Sequence, residues 1–344
     1  MYDEIAKKIL ESLNENLISE DHPKFSGEGY KANKIDIKNF HEIKGMTSGN
    51  KIAFVDGGSA EILGSANFSL NLLRVCCVIY QNNKKVQFRK FEFFAFVRAV
   101  IENDEIHYKA SFFNAKNAFE IDEISFNSFD RTLMHGNNRA EIGNVANALR
   151  RYAELKLARQ MADEKLCSII VLDGNLQCCL TNEGNYLNEL YNSCSRNNII
   201  LSALSKKSSV FTDTGNLLSV VLSRVCSLPS WFYYPIVEIK NTNHKAEMFF
   251  VKFHSKSRHV FRFEIFNAQK ARAEEIIITL AGNCIDPIFI GYPYGLVEAD
   301  KIARVSNHEK NLLRTIFLVK LKDKNIEQYL SSINAHEILD RISF

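Results

Sequence analysis

The strongest restriction on the fold comes from a nearly uninterrupted apolar segment, Cys167–Leu172, in a chain of 344 residues. A strand that is apolar on both faces is typical of a sheet covered by helices on both sides, as in α/β proteins. A second apolar segment, Ile199–Leu204, follows a helix predicted near Tyr186–Arg196. These segments predict a parallel β–α–β unit in the middle of the chain.

Three strands and a long helix are predicted ahead of this unit. The strands cover Lys51–Val55, Leu72–Gln81 and Lys85–Val97, and Asn82–Lys84 has the composition of a hairpin turn. The helix, Ala140–Ala162, has apolar residues at steps of three and four. The order predicts an α/β fold with one mixed sheet, antiparallel in its first three strands and parallel in the later ones, flanked by helices.

Three regions follow from these elements. Residues 1–50 are predicted as an N-terminal helix with a polar lead-in, and residues 51–310 as the main domain with a charged, irregular insertion near 103–136. Residues 231–266 carry further strand signals, and a helical extension is predicted over 311–344.

Composition excludes several classes of protein. Hydrophobic residues make up 46% and charged residues 24% of the chain, which is typical of a folded soluble protein and not of a disordered or polytopic membrane chain. The net charge of +3 is too small to indicate a polyanionic partner, so any affinity for nucleic acid must come from local patches.

The charges in Met1–Leu13 indicate an amphipathic helix and not a signal peptide. The eight cysteines form no CxxC pair, which favours reduced thiols in the cytoplasm.

Two aspartates follow the first and fourth predicted strands. Asp56 and Asp173 each stand before a glycine at the end of an apolar strand. In a β-β-β-α-β-α-β order the first and fourth strands lie side by side, so the two carboxylates are expected at one edge of the sheet. Carboxylates at strand ends are common ligands of divalent metals. The alternative is that each aspartate only caps the turn that follows it.

Glu154, on the long helix, is the third candidate acid. It neighbours the apolar face of that helix and is expected to point toward the sheet. The alternative is an ion pair with Arg150, one turn earlier, on a solvated face. Three carboxylates around one site are what a divalent-metal phosphodiesterase needs, because such sites hold ions about 3.5–4 Å apart that activate water and stabilise the leaving oxygen.

Four short motifs occur in a recognisable order. They are FVDGGSA (Phe54–Ala60), RYAE (Arg151–Glu154), VLDGNL (Val171–Leu176) and GYPYGLVEAD (Gly291–Asp300). Together they resemble the NurA nuclease family over most of the chain. The resemblance implies an RNase H-like nuclease fold, manganese-favoured cleavage of DNA, a ring-like homodimer, and partnership with the hexameric HerA ATPase.

The resemblance also implies roles for single residues. Asp56, Glu154 and Asp173 match the positions that bind the metal, Mn²⁺ or Mg²⁺, as two ions. Asp300 stands where many members have His, and it is expected to be a fourth ligand and a catalytic group. Gly295 stands where a second Pro is frequent.

Three further residues are expected to contact phosphate or DNA. Tyr292 falls on the family's Tyr in the late Tyr-Pro motif, and Arg151 lies in the motif of the helix. Lys206 resembles the family's Ser-Lys segment and follows an apolar strand, where its ammonium group would hold the scissile phosphate and assist catalysis. The alternative for Lys206 is an exposed side chain in a polar loop.

The sequence therefore predicts a metal-dependent deoxyribonuclease that hydrolyses phosphodiester bonds by in-line attack of water, without a covalent intermediate. The resemblance implies 5′→3′ exonuclease and single-strand endonuclease activities, used with the ATPase in DNA end resection and double-strand break repair. Two alternatives stay open at this point: a catalytically silent subunit that docks DNA and the ATPase, and a nuclease acting on RNA or an RNA–DNA hybrid.

The basic and apolar surface segments indicate function less specifically than the four motifs do. The basic segments Lys84–Lys90 and Lys252–Arg262 have the composition of a DNA-contacting surface or of solvated strand faces. The N-terminal helix carries an apolar stripe that would serve the dimer, contact the ATPase, or cover the domain; its residues are Ile5, Ile9, Leu10 and Leu13.

Overall fold

An eleven-stranded mixed sheet is the frame of the part of the chain that the computed structural model describes, residues 1–15, 22–45, 49–116 and 123–321. The strands of the fold are β1 (Pro23–Lys24), β2 (Tyr30–Ala32), β3 (Phe40–Glu42), β4 (Lys51–Ser65), β5 (Phe68–Gln81), β6 (Lys84–Glu102), β7 (Glu105–Lys116), β8 (Ile124–Asn127), β9 (Ile169–Asp173), β10 (Ile200–Ser205), β11 (Phe211–Thr212), β12 (Trp231–Tyr233), β13 (Val237–Ile239), β14 (Ala246–Lys252) and β15 (Phe261–Phe266). The α-helices are α1 (Tyr2–Glu15), α2 (Val145–Asp163), α3 (Glu183–Arg196), α4 (Leu218–Val225), α5 (Ala273–Gly282), α6 (Tyr294–Ala303) and α7 (Asn307–Leu321). Short 3₁₀ turns cover Ile37–Asn39, Ile142–Asn144, Asn267–Arg272 and Pro287–Phe289.

The order of strands confirms the predicted α/β fold. From one edge to the other the large sheet runs β3-β12-β14-β15-β10-β9-β4-β5-β6-β7-β8. At its centre β4 pairs with β9, and β9 with β10, in parallel; the flanking pairs are antiparallel. The first and fourth predicted strands are therefore neighbours. Two small antiparallel pairs, β1 with β11 and β2 with β13, lie outside this sheet.

The β5–β6 hairpin turns where the sequence predicts a turn. Asn82 and Asn83 have φ angles of 51° and 58°. A two-residue type I′ turn requires this left-handed conformation of both central residues, and Asn tolerates it better than most side chains.

The segment near 103–136, predicted as an irregular insertion, is more regular than expected. β7 and β8 occupy most of it, and its residues 117–122 lie outside the described residues. Tyr108 is buried on one face of β7, whereas Lys109 pairs with Glu102 at 3.2 Å on the other. The charges in this segment therefore reflect the solvated face of a strand. The lead-in before residue 50 also adds β3 to the sheet.

Helices cover both faces of the sheet. Side chains alternate along a strand, so Ala53 and Val55 of β4 face α2, while Ile52 and Phe54 face α5 and α6. The buried apolar residues of α2 are Val145, Ala148, Leu149, Tyr152, Ala153, Leu155, Leu157, Ala158, Met161 and Ala162. Those of α5 and α6 are Ala273, Ile276, Ile277, Leu280, Leu296, Ala299 and Ala303.

Helix α6 approaches β4 more closely than most side chains permit. A Cβ atom added to Gly295 of α6 would lie 2.0 Å from Cδ2 of Phe54. A Cβ added to Gly58 of β4 would lie 2.2 Å from the carbonyl oxygen of Ala303. The absence of a side chain at both ends of this contact therefore sets the distance between helix and strand.

Helix α7 covers the far half of β4. Leu313 and Phe317 pack against Ile62 there. The extension predicted over 311–344 begins inside this helix, and residues 322–344 lie outside the described residues. Within the described ranges, no helix combines the length and apolarity that crossing a membrane requires.

We expect Gly295→Ala to lower the free energy of unfolding by about 1–3 kcal/mol, the usual cost of overpacking, because the new methyl group enters the space of the Phe54 ring. Gly282→Ala in α5 is the matched control, since an added Cβ meets nothing within 4 Å. It should be neutral or slightly stabilising. Urea unfolding of the two variants measures the difference, and equal stabilities would contradict the close contact between α6 and β4.

Candidate active site

The parallel pairing of β4 with β9 brings two of the predicted acids together. Val55 lies opposite Leu172 in the register, so Asp56 and Asp173 are the next residues along neighbouring strands. Alternation places both aspartate side chains on the face that α5 and α6 cover, since Phe54 faces that way. The two carboxylates therefore meet as the strand order predicts, although Asp56 lies inside β4 and not at its end.

Asp300 joins this pair from α6. Asp56, Asp173 and Asp300 each offer a carboxylate oxygen, and these oxygens all lie within 4.8 Å of one another. We call these residues the three-aspartate cluster. Asp56 is only 5% exposed, whereas Asp173 and Asp300 are half-buried. The close packing of α6 on β4 positions the third carboxylate.

Burial and nearby negative charge make the Asp56 carboxyl group hard to ionise. Burial is the largest cause and the charges of Asp173 and Glu154 add to it, and together they raise the pKa of Asp56 to about 8. A carboxyl group in this position holds its proton at neutral pH unless a positive charge arrives beside it.

Lys206, just after β10, places a positive charge inside the cluster. Its Nζ lies 2.6 Å from Oδ2 of Asp173 and 3.0 Å from Oδ1 of Asp300. Burial by itself would lower the pKa of Lys206, but the hydrogen bond to Asp173 and the neighbouring carboxylates raise it. Burial would raise the pKa of Asp300, but Lys206 and then Arg304, at 2.7 Å, lower it.

Tyr292 lies close enough to the three aspartates for their charges to raise the pKa of its hydroxyl group. Its side chain is buried, and its hydroxyl group has no hydrogen-bond partner within the described part of the chain. Burial is the largest cause that raises the pKa of Tyr292, and the nearby carboxylates add to it, so the hydroxyl stays protonated. A buried donor without an acceptor is costly, and a ligand at the cluster would satisfy it.

The donor set fits a divalent cation. Carboxylate oxygens are the ligands that Mg²⁺ and Mn²⁺ prefer, and three of them converge here. The raised pKa of Asp56 indicates that the protein does not fully stabilise the negative charge of this carboxylate. The Tyr292 hydroxyl has no acceptor among the described residues. A ligand at the cluster would supply both.

Glu154 reaches β4 from the opposite face, at Gly57. A Cβ on Gly57 would lie 2.6 Å from Oε1 of Glu154, so the glycine leaves room for the carboxylate. Glu154 therefore points toward the sheet, and it also forms the ion pair with Arg150 that the sequence left as the alternative. A second arginine, Arg151, lies 3.6 Å away. Glu154 is not part of the three-aspartate cluster as the described residues place it, although its charge acts on Asp56.

Arg151 is engaged inside the protein. Its Nε donates to Oε1 of Glu183 at 2.8 Å, and its second terminal nitrogen donates to the carbonyl oxygen of Asn175 at 2.7 Å. Asn175 lies two residues after Asp173, so Arg151 holds the loop that follows that aspartate. These contacts favour a positioning role over the DNA contact that the sequence predicts.

Glu264 is a supporting residue that the sequence patterns did not identify. It is fully buried in β15 and accepts a hydrogen bond from the backbone N–H of Leu176 at 2.8 Å. Burial would raise its pKa, but the charge of Arg262 and then the contact with His244 hold the pKa of Glu264 at about 2. The sequence feature that could have identified Glu264 is the presence of one Arg and one Glu inside an otherwise apolar strand, Phe261–Phe266.

The fold and the cluster define a class: an α/β protein whose mixed sheet carries an acidic, metal-type site beside its central parallel strands. Residues 180–305 match the family model described as the NurA domain. This match supports the resemblance to the NurA family that the sequence motifs indicate. The matched range includes Lys206, Tyr292 and Asp300, and folding brings Asp56 and Asp173 to them.

Comparison with solved structures agrees with this fold. The crystal structure of the NurA nuclease from Sulfolobus solfataricus aligns over 94% of this chain and 98% of that chain, with a TM-score of 0.56 and 18% sequence identity. Two endonuclease V structures match with lower TM-scores, which are too low to support an argument. They are Ciona intestinalis endonuclease V bound to a 24mer DNA containing an inosine followed by a ribo-adenosine (TM-score 0.36, 12% identity, 92% and 100% coverage) and the catalytic domain of human endonuclease V (0.39, 12%, 78% and 85%). Comparison with curated proteins finds no match.

In the metal-free protein, the free energy of unfolding should fall as the pH rises from about 4 to about 8. The folded chain keeps a proton on Asp56, whose pKa is about 8, while the unfolded chain releases it near pH 4. Asp56→Asn removes this proton linkage, so the variant should gain stability over the original chain toward pH 8, by on the order of a few kcal/mol.

Urea unfolding in EDTA at pH 5 and pH 8 measures this difference. Asp3→Asn, at an exposed residue of α1, is the control and should follow the original chain at both pH values. A constant difference between Asp56→Asn and the original chain would show that Asp56 has an ordinary pKa.

Proposed function

We propose that the protein is a divalent-metal-dependent nuclease that hydrolyses phosphodiester bonds in DNA. The proposal rests on one observation: Asp56, Asp173 and Asp300 converge from three separate elements onto one site. Lys206 contacts two of them there. The NurA domain match and the likeness to a NurA nuclease support the same function.

The three-aspartate cluster would hold Mn²⁺ or Mg²⁺, and we propose two ions, with Glu154 as a further ligand if it leaves its arginine partners. Such ions, when bound, neutralise phosphate charge and lower the pKa of water. Asp56 has to release its proton before its carboxylate can bind a cation, and the positive charge itself favours that release.

Lys206 and Tyr292 would act on the substrate. The ammonium group of Lys206 lies between two carboxylates and is kept charged by them, so it is available to a phosphate oxygen at the same place. The Tyr292 hydroxyl stays protonated and unpartnered within the described residues, so it can donate a hydrogen bond to a ligand in the cluster.

The neighbouring side chains favour attack by water over a covalent intermediate. Cys76 lies beside Asp56, but its thiol donates to the carbonyl oxygen of Ala299 at 3.1 Å, and burial is the main cause that raises its pKa to about 12. A protonated thiol is a poor nucleophile. The Tyr292 hydroxyl is likewise neutral.

The finer properties of the proposal rest on the NurA resemblance. They are 5′→3′ exonuclease and single-strand endonuclease activity, a homodimer, cooperation with a HerA-type ATPase, and a cytoplasmic role in end resection and double-strand break repair.

The cost of the cluster argues against a subunit that only docks DNA and the ATPase. Burial, and then the charges of Asp173 and Glu154, raise the pKa of Asp56 to about 8, and a binding surface for a polyanion gains nothing from such a group. The alternative substrate, RNA or an RNA–DNA hybrid, is an arm of the experiment below.

We expect the protein to cleave end-labelled single-stranded DNA with Mn²⁺ and to lose this activity in EDTA. Asp56→Asn, Asp173→Asn and Asp300→Asn should each reduce the rate by about 100-fold or more, because each removes a charge that holds the cation. Mn²⁺ should raise the melting temperature of the original chain and should raise that of the three variants less.

Glu274→Gln, at an exposed acid of α5, is the control and should cleave at the original rate. Full activity of Asp56→Asn would exclude the site, and DNA binding without cleavage would favour the docking alternative. Faster cleavage of RNA or an RNA–DNA hybrid of the same sequence would change the substrate.

A further inference from the structure

A basic groove begins at the three-aspartate cluster and leads away from it. The groove has a volume of about 660 Å³ and is lined by the segment after β10, the exposed side of α4 and the loop before β15. Lys206 belongs both to its wall and to the cluster, where it contacts Asp173 and Asp300. Whatever occupies the groove is therefore close to the proposed reaction site.

The rim of this groove carries positive charge without matching acids. Lys207, Arg224 and Arg258 line it, and each is exposed. Within the described residues, none of the three forms an ion pair or a hydrogen bond, and no Asp or Glu lines the groove. Some other basic side chains of the described chain have acidic partners, as Arg89 has Glu164 at 2.6 Å. An uncompensated basic rim attracts a polyanion.

The floor of the groove is apolar and hydroxyl-bearing. Leu217 and Val220 are each 40% exposed there, beside Ser219 and Ser223 of α4. A duplex presents mainly phosphate and sugar to a protein surface, whereas an unpaired strand also presents base faces that contact apolar side chains. The combination of a cationic rim and an apolar floor favours an unpaired strand.

We infer that this groove binds the unpaired strand on one side of the scissile phosphate, with Lys207, Arg224 and Arg258 on successive phosphates and with Leu217 and Val220 against the bases. The inference rests on the proposed nuclease function and adds to it the path of the substrate strand and the residues that hold it. Lys206 is the point where the groove passes into the cluster.

The test is the binding of a fluorescein-labelled 20-nucleotide oligo(dT) in EDTA, measured by anisotropy over a range of salt concentrations. The triple variant Lys207→Gln, Arg224→Gln, Arg258→Gln should bind more weakly, by about tenfold or more at low salt. The slope of log affinity against log salt should fall by about 0.7 for each phosphate that the variant no longer neutralises, or about 2 in total. The single variants Arg224→Gln and Arg258→Gln, at exposed positions, should each reduce the slope by about one third of this amount.

A control triple variant removes the same charge elsewhere: Lys8→Gln, Lys31→Gln, Arg98→Gln, at exposed residues that line no part of the groove. It should bind oligo(dT) as the original chain does. Equal weakening by the two triple variants, or unchanged binding by the groove variant, would overturn the inference. An equal loss of affinity for a 20-base-pair duplex would overturn the assignment to an unpaired strand. Because binding is measured in EDTA, these results are independent of the Mn²⁺-dependent cleavage that tests the proposed function.

Discussion

The arrangement of this protein depends on holding three carboxyl groups together. Asp56, Asp173 and Asp300 are costly to ionise together: burial, and then the charges of Asp173 and Glu154, raise the pKa of Asp56 to about 8. The folded chain offsets the repulsion with Lys206, which lies within 3.0 Å of two of the carboxylates. The site is thus incomplete on electrostatic grounds, which is the condition under which divalent cations bind strongly.

Packing supplies the precision that this electrostatic arrangement needs. Gly295 lets α6 lie against the ring of Phe54, and that contact carries Asp300 to the sheet. The loop after Asp173 is held from two sides, by the buried carboxylate of Glu264 and by the guanidinium group of Arg151. Rigid neighbours of this kind keep functional side chains in one geometry. Lys206 and Tyr292, predicted to act on substrate, are therefore distinct from Glu264 and Arg151, which hold the loop.

Charge is distributed unevenly around the site. Within the cluster each carboxylate has a cation nearby, and Glu154 on the far face of β4 is bound by Arg150 and Arg151. The groove beyond Lys206 carries basic groups and no acids along its described lining. A phosphate chain that follows this gradient would reach the cluster at Lys206, where positive and negative groups meet. The small net charge of the whole chain conceals this local asymmetry.

Local patterns in the sequence determined the central part of the fold. Apolar runs predict β4, β9 and β10, apolar residues at steps of three and four predict α2, and strand order alone predicts that Asp56 and Asp173 meet. The prediction that Asp300 is a metal ligand rests only on a family resemblance, because helix α6 is distant in sequence and its approach depends on Gly295. The strand β7 was not predicted because its polar alternation hides a half-buried face.

Only the tertiary structure decided that Glu154 lies across the strand from the cluster, that Arg151 is engaged internally, and that Tyr292 lacks a partner among the described residues. Such facts depend on which face of a strand a side chain leaves from and on what packs there, and both are set by contacts between residues far apart in the chain.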